Sequence, residues 1–213
     1  MARFLVCYGT GEGQTAKVAD RIVERLDERG HDARAVNAGK SPGDLSVATF
    51  DAVLVGASIH VGKHQPAISE FVETNRDVLA TKPTGFFQLS LASADETGES
   101  EAAGYVESFI SETDWHPDRI GLFGGALRYS KYGFLKRILM KQIAKRRLPG
   151  VDTSHDVEFT DWAEVDAFTA DFAAFAEGRL GVVPPTSGVG DAEDADAVDA
   201  TADTDADRET PSE

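Results

Sequence analysis

The chain has 213 residues, a formal net charge of −16, 41% hydrophobic residues and one cysteine. This length and hydrophobic content are sufficient for one well-packed core. A single cysteine excludes an intrachain disulfide and a multi-cysteine metal site, and the strong negative charge disfavours nucleic acid as a partner.

The N-terminal segment predicts a buried strand followed by an anion-binding loop. The strand is the apolar run from Phe4 to Tyr8, and the loop is Gly9-Thr10-Gly11-Glu12-Gly13-Gln14-Thr15. Glycines permit turns that other residues resist, and hydroxyls beside the amides of a helix N-terminus are good anion ligands. We expect the side chain of Glu12 to point away, because its charge opposes an anion. The loop therefore predicts a phosphate site that needs no metal.

Two other phosphate loops fit this segment less well. A P-loop requires a Gly-Lys-Ser/Thr triplet, which the segment lacks. The dinucleotide pattern G-x-G-x-x-G begins at Gly11 and Gly13 but ends on Ala16, and Asn37 stands about where the second strand should carry an acid. A monophosphate such as that of FMN is favoured, and a plain strand-to-helix turn is the structural alternative.

The rest of the chain alternates predicted helices and strands. Apolar residues at helical spacing predict helices, whereas short apolar runs predict strands. Helices are predicted at 15–29, 66–79, 101–113 and 162–177, and further strands at 31–36, 51–57, 84–91 and 118–126. This order predicts an α/β fold with a doubly wound, five-stranded parallel sheet. Ligands of such sheets bind beyond the carboxyl ends of the strands, where the predicted loops are 10–15, 58–64 and 90–99.

A basic segment, residues 128–147, contrasts with the acidic remainder of the chain. It contains eight Lys or Arg residues and no Asp or Glu, interleaved with aromatic and aliphatic residues. The pattern predicts a basic helical insertion, 127–153, after the fifth strand. The basic segment has four possible roles: docking on anionic lipid, binding of substrate carboxylates, contact with an acidic partner, or no role beyond a solvated basic face. We expect substrate or membrane contact through Arg128, Tyr129, Lys131, Lys136, Arg137 and Lys141.

The C-terminal segment, residues 182–213, predicts a disordered acidic tail after one domain at 1–181. The tail contains ten acids against Arg208, and so polar a segment cannot offset its ordering entropy by burial. No apolar run approaches the ~18 residues of a membrane-spanning helix, and the N-terminus does not resemble a signal peptide. We therefore expect a cytoplasmic protein, attached at most to the inner face of the cell membrane.

Four further motifs carry a resemblance to a known family. They are Val55-Gly-Ala-Ser-Ile-His-Val-Gly62, Trp115-His-Pro-Asp-Arg119, Phe123-Gly-Gly-Ala-Leu-Arg-Tyr129 and Phe159-Thr-Asp-Trp162. Together with the first loop, and in this order over about residues 3–177, they resemble the flavodoxin-fold, menaquinone-dependent protoporphyrinogen oxidases. The sequence departs from a familiar member at His60, where we expect Arg. It also lacks Trp or Tyr in both loops that would flank a flavin ring.

The resemblance implies an FMN enzyme of heme biosynthesis that oxidises protoporphyrinogen IX, or a related reduced tetrapyrrole, with a membrane quinone as acceptor. It implies FMN contacts at Thr10, Gly11, Glu12, Gly13, Gln14, Thr15, Ser58, Ile59, His60, Val61, Gly62, Ser90, Leu91, Ala92 and Ser93. No catalytic side chain and no metal ligand is assigned, because the flavin performs the chemistry. The alternatives are a flavodoxin-type electron carrier and a regulatory module that has lost the flavin. The long basic segment favours the enzyme.

Overall fold

The computed structural model describes residues 1–40, 45–94, 96–128 and 155–183. Five strands of these ranges form one sheet: β1 Arg3–Tyr8, β2 Asp32–Asn37, β3 Ala52–Ser58, β4 Thr84–Ser90 and β5 Arg119–Gly124. The α-helices of the described ranges are α1 Gln14–Glu28, α2 Pro66–Leu79, α3 Glu99–Thr113 and α4 Trp162–Leu180. The predicted basic insertion from residue 129 onwards and the predicted tail from residue 184 onwards lie outside the described residues.

The sheet is parallel throughout, with strand order β2-β1-β3-β4-β5. This is the flavodoxin-like order of doubly wound sheets, and the predicted fold class is confirmed. The predicted fifth strand, 118–126, is shorter in the structure, and two separate strands follow it: β6 Ala126–Leu127 and β7 Val157–Glu158. These two pair antiparallel to each other. Sequence patterns missed this pair because each strand has two residues and the partners are about thirty positions apart.

Two hydrophobic cores form, one on each face of the sheet. Alternate residues of β1 point to opposite faces, so Phe4 packs with α1 and α4 whereas Leu5 packs with α2 and α3. Burial on both faces explains why β1 and β3 have nearly continuous apolar sequences. The second core includes Cys7, which is completely buried. Burial raises the pKa of the Cys7 thiol to about 12, so the thiol stays protonated at neutral pH.

A buried polar cluster joins the last helix to the amino end of the sheet. Glu177 on α4 accepts hydrogen bonds from Arg29 Nε at 2.6 Å and Nη2 at 2.7 Å, and its Oε1 lies 2.9 Å from His31 Nε2. The backbone N–H of Ala2 donates to His31 Nδ1, so the ring proton belongs on Nε2, facing the carboxylate. The hydrogen bond from Arg29 is the main reason that the pKa of Glu177 is lowered.

Within the described residues, none of the helices combines the length and the apolar composition needed to cross a membrane.

We expect Glu177→Gln to lower the free energy of unfolding by about 2 kcal/mol at neutral pH, because charged hydrogen bonds become neutral ones. The pKa of Glu177 is depressed, so its contribution is present above the ordinary carboxyl pKa of 4.5 and is lost as pH falls through the lower folded value. Urea titrations of wild type and variant should therefore converge in strong acid.

The matched control is Glu24→Gln. Glu24 is more than half exposed and pairs with Arg21 on the surface of α1, so its loss should change stability by well under about 1 kcal/mol. Equal effects of the two substitutions, or a difference that does not depend on pH, would contradict the role assigned to Glu177.

Candidate functional site

The predicted ligand loops lie together at one edge of the sheet. Strands β1, β3 and β4 end at Tyr8, Ser58 and Ser90, and their parallel register places these ends side by side. The backbone continues this contact beyond the strands, because the N–H of Gly9 donates to the carbonyl of Gly56 at 2.8 Å. The fold therefore brings together the three segments that sequence analysis assigned to one ligand.

The first loop presents the N-terminus of α1. Gly13 has a φ of 98°, a left-handed conformation that favours glycine, and it immediately precedes the helix. Thr10 Oγ1 accepts a hydrogen bond from the N–H of Gly13 at 2.9 Å, which leaves the hydroxyl proton of Thr10 able to donate. The first turn of α1 carries no acidic residue, and no side chain of the described residues caps its amides. Its amides and its helix dipole thus remain suited to an anion.

Thr15 is the strongest individual indication of a ligand. It is the second residue of α1 and completely buried, and its Oγ1 has no hydrogen-bond partner within the described residues. A buried hydroxyl without a partner costs about 1–3 kcal/mol, so such groups call for an explanation. An anionic ligand oxygen held at this helix N-terminus would supply the missing partner. The residues present therefore fit a phosphate group.

The second loop contacts the first through His60. A Cβ atom built on Gly11 would lie 2.3 Å from His60 Nε2, so the imidazole ring packs directly against the backbone of Gly11. Any side chain at Gly11 would have to displace this ring. The contact gives a physical reason for glycine at that position, and it shows that the predicted phosphate loop and the predicted ring-flanking loop meet.

The tip of the second loop is a strained turn that exposes an apolar residue. His60 and Lys63 exchange two backbone hydrogen bonds, of 2.8 and 3.1 Å, around Val61 and Gly62. Both central residues have positive φ, 51° and 77°, as in a type I′ turn. A β-branched residue in this region costs about 1–3 kcal/mol, and Val61 is also fully exposed. The turn therefore presents an apolar side chain to solvent at the ligand edge of the sheet.

Gln65 fixes the start of this loop, and sequence analysis missed it. Its Oε1 accepts from the N–H of Ser58 at 3.2 Å, and its Nε2 donates to Ser58 Oγ at 2.5 Å. Gln65 also occupies the position before α2, which begins with Pro66. That position marks a helix start but gives no indication of a clamp on a residue seven positions earlier.

The third loop is held closed by its own serines. Ser90 Oγ accepts from the N–H of Ser93 at 3.0 Å and lies 2.8 Å from Ser93 Oγ. A short 3₁₀ turn, Ala92–Ala94, follows, in which Ala92 is buried and Leu91 partly buried before it. These contacts fix the loop beside the end of β4, adjacent to the second loop.

His64 is structural. Its Nε2 lies 2.8 Å from Gln88 Oε1, and its ring packs against Phe86 and Phe109 at centroid distances of 5.6 and 4.7 Å. Burial lowers the pKa of His64, so the imidazole is neutral at pH 7.

Among the residues that the structure describes, no group of three His, Cys, Asp or Glu side chains is arranged to hold a metal ion.

Of the residues predicted to contact substrate or membrane, Arg128 alone lies within the described ranges. Its Nη2 donates to Gln14 Oε1 at 2.5 Å and to Glu158 Oε2 at 2.8 Å. Its side chain is 16% exposed. Tyr129, Lys131, Lys136, Arg137 and Lys141 lie outside the described residues, and their contacts stay predictions.

Comparisons with known proteins identify the family of this chain. A family model described as a flavodoxin domain matches residues 5–153. A protoporphyrinogen IX dehydrogenase (quinone) from Escherichia coli K12 is 31% identical over 170 residues, which cover 79% of this chain and 93% of the relative. A protein of the same name from Leishmania major is 30% identical over 171 residues, which cover 80% of this chain and 74% of the relative.

The solved structures bear on the fold alone. A short-chain flavodoxin associated with a non-canonical PDU bacterial microcompartment aligns with a TM-score of 0.52 and 12% identity, over 83% of this chain and 99% of the flavodoxin. Fold and loops thus define a flavodoxin-domain protein. The chain belongs, within that class, to the family of protoporphyrinogen IX dehydrogenases (quinone), which confirms the resemblance found in the sequence.

Proposed function

We propose that this protein is an FMN-dependent dehydrogenase of heme biosynthesis that oxidises protoporphyrinogen IX and delivers the electrons to a quinone. The substrate and acceptor follow from two relatives at 30% identity or more that carry this name. The observation that supports the cofactor most directly is the buried hydroxyl of Thr15, without a partner within the described residues, at the N-terminus of α1.

The residues of this chain have distinct parts in binding FMN. The amides of 11–15 and the hydroxyls of Thr10 and Thr15 would hold the phosphate, with the dipole of α1 adding attraction. The segments 58–62 and 90–93 would flank the isoalloxazine ring. Bound FMN supplies the redox chemistry, accepting electrons from the reduced tetrapyrrole and passing them on to the quinone. The protein supplies orientation, and no side chain is assigned to proton transfer.

We also assign backbone or side-chain roles in phosphate binding to four residues of the first loop. The side chain of Gln14 is bonded to Thr160 and Arg128, so its proposed contact with the phosphate is through its backbone N–H. Glycine at 11 and 13 has no side chain and contributes amides only. Thr15 differs, because its hydroxyl is buried and still has bonding capacity that the described residues leave unused.

We expect Thr15→Val to weaken FMN binding by about ten- to a hundredfold, because a hydrogen bond to a charged phosphate is worth roughly 1.5–3 kcal/mol. The free energy of unfolding of the apoprotein should be unchanged or slightly higher, because the substitution removes a buried unsatisfied hydroxyl and keeps the side-chain shape. Flavin fluorescence titration and urea unfolding measure the two effects. Riboflavin, which lacks the phosphate, is the control ligand and should bind both proteins equally. A stability loss in the apoprotein together with unchanged FMN binding would contradict the site.

The proposed activity is tested by porphyrin fluorescence. FMN-loaded protein is mixed anaerobically with protoporphyrinogen IX, with and without a menaquinone analogue, at low and high salt. We expect fluorescence to rise rapidly and only with the quinone present. FMN-loaded protein that gives no rise above the protein-free rate would contradict the dehydrogenase and leave the flavodoxin-type electron carrier as the alternative.

We further propose that the basic segment 128–147 contacts anionic lipid at the inner face of the cell membrane, where the quinone resides. The segment has eight cations and no acid in a chain whose net charge is −16, and the seven cations after Arg128, which pairs with Glu158, are those proposed to face lipid. Each cation near an anionic membrane surface is worth about 1 kcal/mol of attraction. The same cations suit the carboxylates of a porphyrin, so the test must separate these two contacts.

Reversal of three charges, Lys136→Glu, Arg137→Glu and Lys141→Glu, should reduce turnover with quinone in anionic liposomes by at least about tenfold, given that attraction per cation. Turnover with a water-soluble quinone analogue should be nearly unchanged if the segment contacts lipid. Equal losses in both assays would favour substrate contact instead. The matched control reverses three exposed cations elsewhere, Arg34, Lys40 and Arg76, for the same change in net charge. A loss of turnover in the control as large as that in the test variant would contradict the proposal.

A further inference from the structure

The side chain of Gln14, the first residue of α1, is bonded at both ends. Its Nε2 donates to Thr160 Oγ1 at 2.9 Å, and its Oε1 accepts from Arg128 Nη2 at 2.5 Å. The residue is 6% exposed. Gln14 therefore does not turn toward the loop but anchors α1 to the chain segments around β6 and β7.

Thr160 extends this anchor to the sheet. Its hydroxyl accepts from Gln14 and donates to the carbonyl of Gly124, the last residue of β5, at 2.7 Å. Gly124 lies so close to the backbone of Phe159 that a Cβ on it would be 2.3 Å from the Phe159 carbonyl oxygen. The packing is tight, so the position of Gln14 is fixed relative to the edge of the sheet where the ligand loops lie.

Charged groups hold the other end of Gln14. Glu158 Oε2 accepts from Arg128 at 2.8 Å and from Lys17 Nζ, on α1, at 2.9 Å. Burial opposes ionisation of Glu158, but Lys17, Gln14 and Arg128 outweigh it, and the pKa of Glu158 is lowered. Arg128 is thus held in place by an ionised partner while it donates to Gln14.

We propose that Gln14, Arg128 and Glu158 form a positioning network that sets the N-terminus of α1 for the phosphate of FMN, and so makes the protein select FMN over riboflavin. This inference rests on the proposed function. The network acts through the first turn of the helix, because fixing the side chain of Gln14 fixes the direction of its own backbone N–H and that of the adjacent Thr15. Arg128 and Gln14 are positioning residues, since their side chains are occupied by other partners.

The test is the ratio of the dissociation constants for riboflavin and FMN. We expect Gln14→Met, which is similar in size and leaves the charge unchanged, to lower this ratio about three- to tenfold, the worth of one or two hydrogen bonds. Arg128→Met should lower it at least as much, and Arg128→Lys should restore part of it. Riboflavin affinity should change less than about twofold, because riboflavin lacks the phosphate that the network serves.

The matched control is Arg21→Met. Arg21 makes a bidentate ion pair with Asp166, at 2.8 Å for both contacts, and so also joins α1 to another part of the chain, but farther along the helix. Arg21→Met should leave the ratio of the riboflavin and FMN dissociation constants unchanged. The effect of Gln14→Met should persist at high salt, where direct attraction between Arg128 and the phosphate would be screened.

The outcomes separate this proposal from the proposed function. Wild-type protein that binds riboflavin as tightly as FMN would overturn the phosphate site itself. Wild-type protein that prefers FMN, with the same preference in folded Gln14→Met and Arg128→Met, would overturn the positioning network alone. If Arg128→Met fails to fold, Gln14→Met and Arg128→Lys still decide the question. Equal losses of FMN and riboflavin affinity would show that the residues only support the fold.

Discussion

The structure depends above all on the parallel pairing of β1 with β2 on one side and with β3 on the other. The helix after β1 packs on one face of the sheet, and the helix after β3 packs on the opposite face. Since the two crossovers leave in opposite directions, neither covers the carboxyl end of β1. The loop from residue 9 to residue 15 thus lies at the carboxyl end of β1, with Gly11 exposed, and the second and third loops lie beside it.

Two unfavourable local features lie at the carboxyl ends of the strands, beside the proposed ligand loops. Thr15 carries a buried hydroxyl without a partner in the described part of the chain, and Val61 has a left-handed backbone with its side chain in solvent. At the amino end, Glu177 and His31 bury their polar atoms in mutual hydrogen bonds. Satisfied contacts such as these stabilise the fold and so offset the cost of the strain and of the unused hydroxyl at the ligand loops.

The positive charges of the chain fall into two groups, those paired with acids in the fold and those of the basic segment. On α1, Arg21 and Arg25 pair with Asp166 of α4, and these pairs hold the two helices together. The basic segment differs, because no acid lies within residues 128–147 of the sequence. Its first cation, Arg128, turns back into the fold toward Glu158. The basic segment therefore begins at an anchored residue close to the proposed phosphate site. The side chain of Arg128 connects this site to the proposed lipid-contacting segment.

Much of the fold could be predicted from the sequence. Strands buried on both faces tend to be apolar runs, and amphipathic helices have apolar residues at a spacing of three to four positions. The boundaries of α2 agree residue for residue, and the glycine-rich loop falls where β1 meets α1. The motifs also indicated the family. Local patterns record burial and periodicity, and for that reason they identify elements and the ligand loop well.

Only the tertiary structure decided which side chains work together. Gln14 and Arg128 are 114 positions apart, and no local pattern relates them. The Gln65 clamp on Ser58, the contact of His60 with Gly11 and the unpartnered state of Thr15 within the described residues were equally invisible in the sequence. Such contacts depend on how strand register and helix packing place distant residues, and a linear pattern carries no record of that placement. The sequence determined the elements and the family, and the packing determined the geometry of the site.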